Sequence, residues 1–310
     1  MHMKSTNKLT FGIMLGPWPP WEQITGWAKL VESLGFDKLW LPDHYVNPDD
    51  KDMDWLDCWS TLTALATQTK RITMGTLVSS MTLRNPAVLA RMALSADHIS
   101  GGRFEFGVGA AGTKKCHEMT GVTRWEPRER SERYKEFVEI LYKMLNNEVT
   151  TYQGKYYNIQ NAILRPKFIS KPHPILSIAA HGPKALRLAA RYGDAWNSLG
   201  PLNDMTPKQS SDHMRERYEM LCEFASEAGR DATQFGRTIL FGWTSDGPFR
   251  SMEAFYDTIG RYAEAGINDF CFIYSPGIDL WKDQSINNEK LLRKIALEAI
   301  PKIRAEISGN

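Results

Sequence analysis

The sequence predicts an α/β protein, a (β/α)8 TIM barrel with a small insertion after the fourth βα unit. Three observations carry this. Short β-branched or aromatic runs alternate with longer runs of helical spacing, turn residues separate them, and the pairs number eight over 310 residues. Each parallel strand must return through a crossover, usually a helix, and eight such units in about 250 residues or more make a closed barrel. An open, doubly wound sheet of eight strands is the alternative. One domain is expected over 1–310, with the insertion at about 149–174.

The first strand is expected over Leu9 to Leu15, ahead of Gly16-Pro17. Trp21 to Leu34 then repeats apolar residues at helical spacing (Ile24, Ala28, Val31) and stops at Gly35. Lys38 to Pro42 is the second strand, followed by a polar loop and a helix near Leu56 to Thr69. Ile72 to Val78 is the third; Pro86 then opens a helix through Ser100, at a position where its missing N–H costs nothing, and Gly101-Gly102 ends it. Phe104 to Gly109 is the fourth strand, and Pro127 to Asn146 a strongly amphipathic helix. The rhythm breaks at Val149 to Tyr152 and Tyr156 to Ile159, which suit a small hairpin around Gln153-Gly154. It resumes with strands at Ile175 to Ala180, Ala195 to Leu199, Thr238 to Trp243 and Asp269 to Tyr274. Their helices are Pro183 to Arg191, Pro207 to Ala228, Met252 to Ala265 and Asn288 to Ala305.

Composition narrows the partners. The chain is 42% apolar and 24% charged, as a folded globular protein should be. Lys and Arg total 38 against 36 acids, net +2, and no segment gathers the basic excess into a stripe for a nucleic-acid backbone. No run approaches the ~18 apolar residues of a membrane span, and the polar start, Met1 to Lys8, lacks a signal-peptide core. A cytoplasmic protein is expected. Cys58, Cys116, Cys222 and Cys271 are far apart, which argues against zinc and disulfides and for ordinary packing.

In a barrel, chemistry gathers where the strands' C-terminal ends meet their loops. The second strand delivers Asp43-His44 there, a histidine able to move a proton near neutral pH beside a carboxylate able to bias it. Ser79 and Ser80 end the third strand and suit either a polar ring or a turn. Gly107-Val-Gly-Ala-Ala-Gly112 matches a dinucleotide-binding glycine pattern, but it falls in the fourth unit, without an immediate helix or a following acidic residue. Its small residues suit the close approach of a planar ligand instead. Ala180, His181, Gly182 and Pro183 open a helix whose free N–H groups suit a phosphate. Arg84, Lys114 and Lys115 are cations near the expected mouth, suited to an acidic cofactor tail or to solvated pairing. The ten tryptophans suit packing between barrel and helices, while Trp18 and Trp243, at strand ends, would also suit the wall of an aromatic-lined pocket.

Arg71–Ser79 (RITMGTLVS), Arg84–Ala90 (RNPAVLA), Ser100–Gly109 (SGGRFEFGVG), Ala180–Ala185 (AHGPKA) and Ala189–Trp196 (AARYGDAW) resemble the luciferase-like monooxygenase superfamily. The resemblance runs in order from about residue 10 to 275. It implies a barrel that binds FMN or the deazaflavin coenzyme F420. It implies that Asp43 and His44 border the ring, His44 giving or taking the proton. Leu77-Val78 falls where relatives hold a non-prolyl cis peptide against the ring. Ser80, Ala110, Ala111 and Gly112 would line the ring and its side chain, and Ala180, His181, Gly182 and Pro183 would hold the phosphate. No metal is implied.

The family's sugar-phosphate dehydrogenases carry a catalytic Glu where this chain has Gly112, with Thr113 next. The lysine that holds their substrate phosphate is not found in Leu199-Gly-Pro-Leu-Asn203. The resemblance therefore implies hydride transfer between coenzyme F420 and a small organic substrate that is not a sugar phosphate. An FMN-dependent monooxygenase and a non-catalytic flavin-binding barrel are the alternatives. A homodimer is expected by the same likeness.

Overall fold

Successive side chains of a strand point to opposite faces, so a strand buried on both sides needs a core within the sheet and another outside it. A computed structural model describes residues 8–110, 113–200, 205–242, 244, 246–276 and 285–308. The strands are β1 (Thr10–Leu15), β2 (Lys38–Leu41), β3 (Thr73–Ser80), β4 (Phe104–Gly109), β5 (Val149–Gln153), β6 (Asn158–Ile163), β7 (Ile175–Ala179), β8 (Ala195–Ser198), β9 (Gly236–Phe241), β10 (Asp269–Tyr274) and β11 (Ser285–Ile286). The helices are α1 (Trp21–Ser33), α2 (Cys58–Gln68), α3 (Pro86–Ser100), α4 (Lys114–Thr120), α5 (Pro127–Asn146), α6 (Pro183–Tyr192), α7 (Pro207–Glu227), α8 (Met252–Glu264), α9 (Glu289–Lys294) and α10 (Ile300–Ser308).

Eight parallel strands pair in the order β1-β2-β3-β4-β7-β8-β9-β10, and β1 returns to β10 with Thr10 opposite Asp269 and Leu15 opposite Tyr274. The sheet is therefore a closed barrel, as the count of units predicts. β11 extends β10 by two residue pairs, and β5 with β6 forms a separate antiparallel ribbon.

Side-chain alternation explains both cores. Phe11, Ile13, Phe104, Phe106, Phe241, Phe270 and Phe272 point outward and pack under the helices. Inside lie Met14, Trp40, Leu77, Leu240, Cys271 and Ile273. At the lower end of the barrel, Lys38 Nζ sits 2.8 Å from both Glu105 and Asp269, while Thr10 and Thr238 donate to Asp269 at 2.7 Å.

Local chemistry sets the boundaries. Asp57 accepts from Ser60 N at 2.8 Å, so α2 begins at Cys58, two residues later than expected. Asn85 caps α3, Pro86 takes its first position, and Gly101 closes it at φ 68. β9 starts at Gly236 and ends at Phe241, two residues earlier than predicted at both ends. The ribbon's second strand runs later than expected, to Ile163. α4 was not anticipated: Thr113 caps it through Cys116 N, directly after the glycine pattern. The expected helix from Asn288 to Ala305 is interrupted by a π turn at Ile295–Ala299, since Pro301 has no N–H to offer the carbonyl of Leu297.

Candidate active site

Pro42 cannot extend the ladder, so the chain leaves β2 there and carries Asp43 and His44 onto the rim. Asp43 is 2% exposed. Its Oδ2 pairs with Arg84 and accepts from Ser80 N at 3.4 Å, and Arg84 reaches on to Asp57 at 2.9 Å. Burial pushes Asp43 above the ordinary aspartate value; Arg84 pulls it down by charge and hydrogen bond, and Asp57 pushes it up again. Asp43 is thus tied to β3 and the loop beyond it, and it holds the turn that presents His44.

His44 is half-buried. Its Nδ1 is enclosed with no hydrogen-bond partner among the described residues, and its carbonyl accepts from Trp55 Nε1 at 3.0 Å. The Cys116 thiol, brought back by α4, faces the same ring. Burial pushes this thiol up, but hydrogen bonds from His44, Thr113 and the Tyr45 backbone, with the charge of His44, bring it down to about 6. The Thr113 hydroxyl lies 3.2 Å from Sγ. Sequence reasoning treated Cys116 as packing; its place just past the fourth strand end, on the rim, was the signal available. A cavity of about 550 Å³ opens beside the histidine, lined by Asp43, His44, Trp55, Arg84, Thr120 and Val122 among others.

The Leu77–Val78 peptide bond is cis, and the β3–β4 register shifts between Thr76 and Ser79. Leu77 joins the inner cluster of the barrel. Val78 lies over β4: a Cβ at Gly107 or Gly109 would come within 2.9 or 2.5 Å of its methyl groups. The first two glycines of the pattern therefore make room for Val78, which corrects the expectation that Gly109 is bare for a ligand. Ala110 is half-buried; Ala111 and Gly112 lie outside the described residues. Of the paired serines, Ser79 is consumed by packing, accepting from Trp59 Nε1 at 3.0 Å. Ser80 shares a 2.6 Å hydrogen bond with Thr82.

Across the rim stands the expected phosphate site. Ala180 is buried, and its carbonyl accepts from Trp196 Nε1 at 2.8 Å. Gly182 is the N-cap of α6 without a side-chain cap, Pro183 follows at the first turn, and a Cβ at Gly182 would meet nothing within 4 Å. The structure thus brings Asp43, His44 and Ser80 together on one arc, and Ala180 to Pro183 on another, with β4 between.

Two choices that the sequence left open fall to the plainer reading. Arg84 is taken up by Asp43 and Asp57, Lys114 pairs with Glu118 at 3.4 Å, and Lys115 donates to the Pro48 carbonyl at 3.3 Å. These cations have protein partners and do not form a reserve for an acidic tail. Trp18 lies over Gly16 and packs with Trp27 and Trp55 at 6.1 and 6.2 Å, so it is interior wall; Trp243 lies outside the described residues.

A planar redox cofactor with an anionic tail fits these residues. An enclosed imidazole nitrogen lacks a protein partner on one arc, and an uncapped helix start faces open space on the other.

Residues 2–246 match the luciferase-like monooxygenase family, and the chain belongs to it. It is similar to the 5,10-methylenetetrahydromethanopterin reductase of Archaeoglobus fulgidus, 35% identical over 186 residues, covering 60% of this chain and 52% of that protein. It is also similar to an F420-dependent glucose-6-phosphate dehydrogenase of Kineococcus radiotolerans, 31% identical over 221 residues, covering 70% and 62%. The chain thus spans about half the length of the first of these curated relatives, and somewhat more of the second. The coenzyme F420-dependent tetrahydromethanopterin reductase of Methanopyrus kandleri shares the fold, with a TM-score of 0.75 over 95% of this chain and 99% of that one at 18% identity. No helix among the described residues is long and apolar enough to cross a membrane.

Proposed function

We propose that this chain is an oxidoreductase that moves a hydride between coenzyme F420 and a small organic substrate, with His44 handling the accompanying proton. The observation that carries this is His44 itself: a half-buried imidazole on the barrel rim whose Nδ1 has no partner among the described residues. The activities of the two relatives, one a reductase and the other a dehydrogenase, support the same reading.

When bound, the deazaflavin supplies a ring carbon that gives up or accepts the hydride. The protein fixes the ring and keeps water from it. In this reading Val78 and Ala110 border the ring, and the N–H groups that follow Gly182 receive the phosphate. Asp43 does not itself exchange a proton, because Arg84 and Ser80 engage it; it holds the turn on which His44 stands. The His44 imidazole takes the substrate's O–H or N–H proton as a hydride departs, or returns it as one arrives. The same proposal carries a homodimer in the cytoplasm.

The test is a fluorescence titration of the full chain with coenzyme F420 and with FMN. Turnover of a panel of small alcohols, ketones and imines is then followed by the deazaflavin's visible absorbance. Binding of F420 and a fall in turnover of about 10²–10⁴-fold in His44→Ala, with binding retained, are expected. Unchanged turnover in that variant overturns the role of His44. Tight binding of FMN, none of F420, and oxygen uptake coupled to substrate oxidation replace the hydride-transfer reading with the monooxygenase one.

A further inference from the structure

The cavity of about 550 Å³ beside His44 is the space left for a substrate, and its side chains limit what it can receive. Its one fixed cation, Arg84, pairs with Asp43 and, at 2.9 Å, with Asp57. Asp57 also accepts from Ser60 N at 2.8 Å. Two carboxylates to one guanidinium leave nothing to hold a further anion. Other polar groups of the lining are engaged as well. Trp55 Nε1 donates to the His44 carbonyl at 3.0 Å, and the Thr120 hydroxyl donates to the Cys116 carbonyl at 2.7 Å. Tyr45 stands exposed at the lip. The His44 imidazole thus remains for one polar atom, while Trp55, Leu56, Leu83 and Val122 supply apolar wall. A charged or many-hydroxyl substrate would give up its water here without gaining partners.

Val122 lies in an irregular stretch, yet its place is fixed by named contacts. α4 ends at Gly121, whose φ of 71 lies in the left-handed region, and Thr120 and Val122 on either side of it both line the cavity. The Val122 carbonyl accepts from His117 Nδ1 at 3.0 Å, and its N–H donates to the Thr120 hydroxyl at 3.5 Å. His117 is buried and stands edge-on to Trp125, with ring centres 6.4 Å apart. Arg133 of α5 lies over Trp125 in turn, its guanidinium 4.5 Å from the ring centre.

We propose that the cavity takes an uncharged, largely apolar alcohol or ketone, and that Val122, positioned by His117, sets the size of the body it admits. The inference rests on the F420 reading above and deepens it. In oxidation the carbinol C–H gives its hydride to the deazaflavin and the O–H proton passes to His44, leaving the ketone. Reduction runs the same two transfers backward. The carbon body rests meanwhile against Leu56, Leu83 and Val122.

The experiment is calorimetry of the full chain with oxidised coenzyme F420, which has no hydride to give a ketone, so that binding is read without turnover. The probes are 2-butanone, 2-hexanone, 4-phenylbutan-2-one and levulinate, the last a ketone of similar length to 2-hexanone that ends in a carboxylate. Levulinate is expected to bind at least about tenfold more weakly than 2-hexanone. Val122→Phe should weaken 4-phenylbutan-2-one by about tenfold or more while 2-butanone still binds, and Val122→Ala should shift the preference toward the larger ketone. His117→Ala should blur the size preference with coenzyme F420 affinity retained. His117→Asn, whose amide N–H can reach the same carbonyl, should restore it. Turnover with reduced F420 should follow the same order in kcat/KM. Levulinate binding as tightly as 2-hexanone overturns the substrate class, and an unchanged size preference in both Val122 variants overturns the wall. A preference lost as fully in His117→Asn as in His117→Ala overturns the part given to the hydrogen bond. A chain that binds F420 but no ketone overturns this inference alone; one that binds the ketones in this order without F420 upholds it and overturns the F420 reading.

Discussion

Cys116 and His44 share one wall of the rim, and the imidazole is one of the groups that hold the thiol's proton loosely. The thiol sits at about 6, below its ordinary value of 9.0. A lowered acid favours its ionised form in the fold, so the stability it contributes is complete above the unfolded value and is lost as pH falls through about 6. Thiolate absorbance in the far ultraviolet should titrate with that midpoint and vanish in Cys116→Ser; a midpoint near 9 would show that His44 and Thr113 do not hold the anion. At this scale the sequence was a partial guide. Asp43 and His44 were legible because a short strand ending in proline hands its next two residues to the rim. The engagement of Arg84 by Asp43 and Asp57 was not, since it joins three loops whose approach is set only when the barrel closes. Cys116 was hidden for the same reason: α4 returns it to a histidine far away along the chain.

Among the elements, β3 and β4 are closely fitted. Val78 occupies the space above Gly107 and Gly109, and its branched side chain has few ways to move aside. Gly109→Ala would press a methyl to 2.5 Å from Val78. Overpacking of this kind costs about 1–3 kcal/mol, so the denaturant midpoint should fall, and cofactor affinity with it if Val78 borders the ring. An unchanged midpoint would mean that β3 yields freely. Most elements were readable from alternation and end signals: Asn85-Pro86 with Gly101 bracket α3, and the phenylalanines of β10 mark its outer face. The misses have physical causes. Asp57 delays α2, Pro301 interrupts the last helix, and α4 is seven residues long, too short for periodicity to reveal.

For the whole molecule, closure depends on what fills the barrel's lower end. Burial alone would lower Lys38, but Asp269 and Glu105 more than reverse it and keep the ammonium charged well above the ordinary lysine value. A raised lysine contributes stability that is complete below its unfolded value of 10.5 and is lost only as pH climbs through the folded one. Lys38→Met would leave two carboxylates buried without their cation. The expected loss is about 3–5 kcal/mol in urea unfolding, and a loss below about 1 kcal/mol would show that protonation of Glu105 relieves the deficit. This inner charge cluster was not foreseen, because Lys38, Glu105 and Asp269 stand singly in three distant strands. The closed barrel was foreseen, because eight crossovers can be counted without knowing any contact.

The ribbon of β5 and β6 lies outside the ring of parallel strands. Its strands pair with each other and, among the described residues, with no strand of the barrel; it is moored where Arg91 of α3 donates to the carbonyl of Ile163, where Ile159 joins the outer core, and where Glu136 of α5 receives the N–H groups of Lys155, Tyr156 and Tyr157. The circuit of eight strands closes without it. That makes the ribbon a handle on the outside of the vessel, a place where a dye, a tether or a second protein could be spliced without disturbing the contents.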